Sequence, residues 1–136
     1  MTQAPAKPKI CIVDDDPFLL DMYNLKFQQA GYEMCCFTDS EEAVAHLRQN
    51  QGFSAILLDL IMPKVDGFDV LRAIREENLC DEKTVVVILS NQGQDKDIER
   101  AESFGIDGYL IKANTLPSEV LDYVHNLINK KSEAAS

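Results

Sequence analysis

Long apolar runs are missing from this 136-residue chain. None approaches the roughly 20 residues that a helix needs to cross a bilayer. The opening MTQAPAKPK has no apolar core of the kind a secretory signal carries, so residues 1–8 read as a short disordered arm and the cytoplasm is the expected location. Basic residues are scarce, 13 against 23 acidic, for a net charge of −10. Phosphate contacts need clustered Lys and Arg, so direct binding to nucleic acid is not expected, nor is a membrane partner. The two histidines, His46 and His125, sit inside helical stretches, which leaves no base for a serine hydrolase. The four cysteines form no C-x-x-C pair and have no histidines at zinc spacing. Cys35 and Cys36 are neighbours and would point to opposite faces of a strand, so reduced, partly buried thiols are expected. No G-x-x-x-x-G-K-[ST] loop occurs, and no Pro-, Gly- or Ser-rich linker divides the middle of the chain. One domain over residues 9–130 is expected, with a disordered tail at 131–136.

Five strand–helix units are present in their place. Lys9–Val13 is a short apolar strand ending in Asp14-Asp15-Asp16, where Asp16 before Pro17 is a strong helix opening. The helix that follows carries Phe18, Leu19, Met22 and Leu25 largely on one side and closes at Gly31. Residues 32–37 make a second strand, and a helix runs from about residue 41 towards Gly52. Residues 54–59 are a strand apolar on both faces, Ala55-Ile56-Leu57-Leu58, stopped by Asp59. A helix over about 66–77 puts Phe68, Val70, Leu71 and Ile74 inward. The β-branched run at 84–89 reads as a central strand ending in Ser90. A short helix at 97–104, a strand at 107–111 ending in Lys112, and a helix at 116–129 complete the chain. Crossovers that each carry a helix imply parallel strands, and helices must cover both faces, so the fold class is doubly wound α/β.

All strands of a parallel sheet share one carboxyl edge, where such sheets place their ligands. That edge gathers Asp14-Asp15-Asp16, Thr38-Asp39, Asp59, Ser90-Asn91 and Lys112. Crowded carboxylates repel unless cationic charge sits among them. A hard divalent ion with oxygen ligands, Mg²⁺ foremost, meets that demand, and Lys112 adds a fixed charge. The same parts suit phosphoryl transfer: charge neutralisation, a hydroxyl donor and a carboxylate nucleophile.

With IVDDD, LLDLIMPKVDG, VVVILS and DGYLIK in this order, the chain resembles the receiver domain of two-component response regulators over about residues 9–130. The resemblance implies a flavodoxin-like sheet of order 2-1-3-4-5. Asp59 matches the phosphoacceptor, and Asp14 and Asp15 match the acidic pair that binds Mg²⁺, with Mn²⁺ as a substitute. Ile61 stands where a backbone carbonyl reaches the metal. Ser90 matches the switch hydroxyl, Lys112 the phosphate-binding lysine and Tyr109 the switch aromatic. The implied partners are a histidine kinase or histidine phosphotransfer protein and a downstream protein. Such a domain is no enzyme beyond its own phosphorylation and slow dephosphorylation. The stretch after Asn129 is too short for a DNA-binding domain, so a stand-alone receiver is expected.

Three positions depart from the family pattern. Asn91 replaces a small residue after Ser90 and is expected to narrow access to Asp59. Ala113 replaces proline after Lys112, which implies either a trans link with altered loop geometry or a strained cis bond. Ile61 and Gln92 flank the phosphate position, and apolar Ile61 cannot orient an attacking water, so self-dephosphorylation is expected to be slow. Two other readings stay open on the residues alone. One is a small phosphatase resembling the haloacid-dehalogenase family, with Asp14 as nucleophile and Asp16 as acid/base. The other is an adaptor that works through protein contacts without phosphorylation.

Overall fold

A computed structural model describes residues 7–60, 66–91 and 95–135. In chain order the elements are β1 (Lys9–Val13), α1 (Pro17–Gln29), β2 (Glu33–Phe37), α2 (Ser40–Gln49), β3 (Phe53–Leu58), α3 (Gly67–Glu76), β4 (Val85–Ser90), α4 (Asp95–Glu102), β5 (Gly108–Ile111), a single 3₁₀ turn (Lys112–Asn114) and α5 (Pro117–Ala135). The strands form one parallel sheet of order β2-β1-β3-β4-β5. The chain turns to opposite sides after β1 and β3, so the crevice for a ligand falls at the carboxyl ends of those two strands.

Alternation along the strands sorts the core into two layers. Ile10, Ile12, Ala55, Leu57, Val85 and Val87 meet Leu20, Tyr23 and Phe27 of α1 and Val120 and Val124 of α5. On the opposite face Cys11, Val13, Ile56, Leu58, Val86 and Ile88 pack against α2, α3 and Ala101 of α4. Burial on both faces explains why β3 and β4 are nearly continuous apolar runs. Cys35 and Cys36 divide between the two layers as expected, and all four thiols are free. Burial pushes the Cys36 thiol up to about 11.

Capping follows the sequence closely. Asp16 accepts from the main-chain N–H groups of Phe18 and Leu19, with Pro17 opening α1, and Asp39 accepts from those of Glu41 and Glu42 at α2. Gly31 follows the Ala30 cap with φ +97°, the left-handed conformation a glycine takes at no steric cost.

Two features are not given by the sequence. Of the apolar stripe Phe18, Leu19, Met22 and Leu25, Leu19 is half-buried against the core and the other three face outward, with Phe18 80% exposed; the buried residues of α1 are Leu20, Tyr23 and Phe27. Apolar residues occupy two sides of this helix, so periodicity alone does not choose between them. The last helix does not end at Asn129, and residues 131–135 are not a disordered tail. They continue α5, because Lys131 reaches back with Nζ donating to the Thr84 carbonyl oxygen at 2.8 Å and pairing with Asp107 Oδ2 at 3.0 Å. Pro8, in the expected N-terminal arm, accepts from the Glu33 N–H, while residues 1–6 lie outside the described residues. Among the described residues no helix is long and apolar enough to cross a membrane.

Candidate functional site

The ends of β1 and β3 set two carboxylates side by side. The Asp14 N–H donates to the Phe37 carbonyl oxygen and the Asp59 N–H to that of Val13, each at 3.0 Å, so ladder-type hydrogen bonds fix both residues just past their strands. Asp14 and Asp59 are both buried. Two buried anions at this separation are costly without a counter-charge. Lys112, following β5, supplies it: its Nζ lies 2.5 Å from Asp14 Oδ2 and 3.0 Å from Asp59 Oδ2, with its side chain only 6% exposed. Asp14 Oδ1 accepts from the Asp16 N–H at 2.9 Å. Burial pushes the Asp14 carboxyl above the usual range, opposed by the hydrogen bonds from Lys112 and the Asp16 amide. For Lys112, burial works against the charge, but the hydrogen bonds and fields of Asp14 and Asp59 outweigh it and hold its pKa above the ordinary value.

Asp15 sits exposed at the mouth. One ligand oxygen each from Asp14, Asp15 and Asp59 lies within 4.8 Å of the others. Three carboxylates on a shared point form an oxygen-only donor set, which fits a hard divalent cation and not a soft one. Ile61, expected to add a main-chain carbonyl, lies outside the described residues, as does Gln92. Asp16 lines the same cleft, but its carboxylate caps α1, as the sequence indicated.

Ser90, the last residue of β4, is fully buried and pairs in register with Ile111, the residue before Lys112. The pKa of the Tyr109 phenol, on the paired strand β5, is raised by burial and by the charge of Asp97 and pulled partly back by the Ser90 side chain. Tyr109 is half-buried and packs against the layer formed by α2, α3 and Ala101. The structure therefore brings Asp14, Asp15, Asp59, Ser90 and Lys112 together, with Tyr109 on the strand paired with that of Ser90. Above them is a cleft of about 230 Å³ lined by Asp15, Asp16, Leu19, Asp59, Ser90, Asn91 and Lys112. Asn91 is exposed on its rim. No peptide bond among the described residues is cis, so the trans alternative holds at Lys112–Ala113. The link folds into the 3₁₀ turn, closed by Thr115, whose N–H donates to the Lys112 carbonyl oxygen and whose Oγ1 donates to that of Ile111.

The role of Gly67 is not apparent from the sequence. Its φ is not positive; what it provides is space. A Cβ there would lie 2.3 Å from the Asp59 carbonyl oxygen and 2.7 Å from the Leu60 Cα, and the Gly67 N–H donates to the Leu60 carbonyl oxygen at 3.0 Å. The available signal was a glycine placed at a helix start after an N-cap Asp66, where no special φ is needed. Gly67→Ala is expected to cost about 1–3 kcal/mol, because backbone has to give way. Urea unfolding of the variant measures it, and an unchanged midpoint would show that the loop absorbs a methyl group freely.

The Response regulator receiver domain model matches residues 10–124. RpaA of Synechocystis, a DNA-binding dual master transcriptional regulator, is 37% identical over 108 residues, covering 77% of this chain and 43% of its own length. The regulatory protein VanRc of Enterococcus gallinarum is 30% identical over 104 residues, covering 76% and 43%. The chain thus spans less than half the length of these two relatives. Among solved structures, the Vibrio cholerae chemotaxis protein CheY4 superposes with a TM-score of 0.81 at 26% identity, covering 90% of this chain and 99% of that one. The receiver domain of the Francisella response regulator 1452 gives 0.80 at 28% identity, covering 90% and 98%.

Proposed function

The chain belongs to the response regulator receiver domain family, and from that premise we propose that it accepts a phosphoryl group on Asp59 from a phosphohistidine and thereby switches a protein-binding surface. The observation that carries this reading is Lys112 bridging Asp14 and Asp59 at the mouth of a cleft, with the buried Ser90 hydroxyl beside them.

In the proposed reaction an Asp59 carboxylate oxygen attacks phosphorus. The P–N bond to the imidazole breaks, the imidazole nitrogen keeps the electron pair and takes a proton from solvent, and an acyl phosphate forms on Asp59. Lys112, now shared between two carboxylates, donates to a phosphoryl oxygen. Ser90 gives its hydroxyl hydrogen to another, which changes the surroundings of the Tyr109 phenol on the paired strand. A divalent cation held by Asp14, Asp15 and Asp59 would supply neutralising charge to the phosphoryl oxygens. By the family resemblance the position two residues after Asp59 flanks the phosphate, and an isoleucine there has no polar group to orient a water, so the proposed acyl phosphate is long-lived. The phosphatase alternative would need Asp16 as its acid/base, yet Asp16 is engaged at the start of α1.

The protein donor has to place its phosphorylated side chain over the cleft, and the surface beside that cleft is apolar. Phe18, Met22 and Leu25 on α1 and Leu116 after the 3₁₀ turn are all exposed. A second depression, lined by Leu19, Met22, Tyr23 and the segment Lys112–Pro117, lies between them and shares Lys112 with the site. An exposed apolar patch continuous with the acceptor fits a helical phosphodonor protein resting on α1.

Incubation with acetyl phosphate and Mg²⁺, followed by intact-protein mass, is expected to show one added phosphoryl group in the parent and none in Asp59→Asn. A gain that survives the substitution would move the nucleophile to Asp14, and no gain in the parent would favour the phosphorylation-independent adaptor. The patch is tested separately. Phe18→Ser with Met22→Ser is expected to slow transfer from a phosphorylated protein donor about 10-fold or more, as loss of an interface anchor of roughly 1.4 kcal/mol or more would. The acetyl phosphate rate should stay within about two-fold, because a small donor makes no use of the patch. Equal slowing with both donors would place the effect in the site itself.

A further inference from the structure

Ordinary packing holds α4 only weakly. Six of its eight residues are charged, and Ala101 alone is buried. A helix this short does not persist in water without tertiary support. Two arginines provide it. Arg75 of α3 donates from Nε to the Phe104 carbonyl oxygen at 2.6 Å and from Nη2 to that of Gly105 at 2.8 Å, anchoring the turn that follows α4. Arg100 of α4 itself lays its guanidinium over the Phe68 ring, 4.0 Å from the ring centre. The negative face of an aromatic ring attracts such a cation. Phe104 packs near the same ring, with centroids 6.5 Å apart.

Phe68 has little room to drift. It follows Gly67, whose Cα is pressed against the main chain of Asp59 and Leu60 and whose N–H is bonded to Leu60. The ring under Arg100 is therefore a fixed reference one residue from the contact with Asp59. Across from it, a cleft lined by Glu102 of α4 and by Ile106, Asp107, Gly108 and Tyr109 runs between α4 and β5. That side meets Tyr109, on the strand paired with the one that ends in Ser90. The helix thus spans a rigid contact leading to Asp59 and a cleft whose far wall is the strand beside Ser90.

We propose that Arg100 is a positioning residue: its stacking on Phe68 is the pivot that fixes α4 to the main chain at Asp59 and transmits the state of the site to that helix. The pivot itself is independent of the phosphoacceptor reading; only the transmission rests on it.

Hydrogen–deuterium exchange of peptides spanning residues 95–105 tests both parts in the full chain. Without phosphodonor, Arg100→Gln is expected to exchange about 2- to 5-fold faster than the parent, the range that an exposed cation–π contact implies. Added to Phe68→Leu, it should give no further acceleration. Arg100→Lys, which keeps a cation, should recover a substantial part of the protection. No acceleration in the parent background, or the same acceleration in both backgrounds, overturns the pivot. With acetyl phosphate and Mg²⁺, the phosphorylation-dependent change in exchange should shrink to about half or less in Arg100→Gln, while intact mass shows labelling comparable to the parent. An unchanged difference overturns the transmission. Absence of labelling in the parent counts against the phosphoacceptor reading, and the arm without phosphodonor still decides the pivot.

Discussion

Two buried carboxylates cannot stand next to each other in a protein interior without a cation, and the contacts from Lys112 to Asp14 and Asp59 supply it here. Much of the site follows from that constraint. Asp14 and Asp59 meet because β1 and β3 are neighbours in register, and Lys112 reaches them from β5, two strands beyond β3. Its ammonium satisfies both acids, yet it stays beside an open cleft where an incoming phosphoryl group can take over one of the contacts. Ser90 is set in the same way. Its hydroxyl is buried and already has a hydrogen-bond partner, so any new acceptor has to compete for it. The site is therefore built from interactions that are satisfied at rest and exchangeable on modification.

The fold contributes rigidity where the chemistry needs it and leaves the periphery looser. Asp59 is held from above by its ladder bond to Val13 and from the side by the close approach of Gly67. The helix with least packing of its own is α4, rich in charge and with Ala101 its one buried residue. Local stability of this kind places α4 among the segments that open first. At the other end of the cleft, the trans link after Lys112 makes a compact turn and leaves Leu116 exposed, lining the same depression as Met22.

Much of this was legible in the sequence because it depends on strand ends. Apolar runs stopped by Asp14, Asp59, Ser90 and Lys112 locate the edge of a parallel sheet, and the Asp16-Pro17 pair marks its helix without ambiguity. The less legible features depend on side-chain direction and on contacts between distant elements. Both sides of α1 are apolar, so the sequence does not say that Leu20, Tyr23 and Phe27 take the core and leave Phe18 and Met22 outside. Gly67 resembles any turn glycine until the Asp59 carbonyl is found where its side chain would be. The extension of α5 past Asn129 depends on Lys131 reaching Thr84 and Asp107, residues more than 20 positions away. The stacking of Arg100 on Phe68 joins two helices whose separation in sequence gives no hint of contact.

The central electrostatic claim is tested most directly by urea unfolding of Lys112→Met with and without Mg²⁺, beside the parent. Removing one partner of a buried ion cluster leaves uncompensated charge, so the variant is expected to lose about 3–5 kcal/mol in metal-free buffer. Added Mg²⁺ should restore much of that loss, since a divalent cation then provides the charge that Lys112 no longer does. A variant as stable as the parent without metal, or one that does not respond to Mg²⁺, would contradict the account.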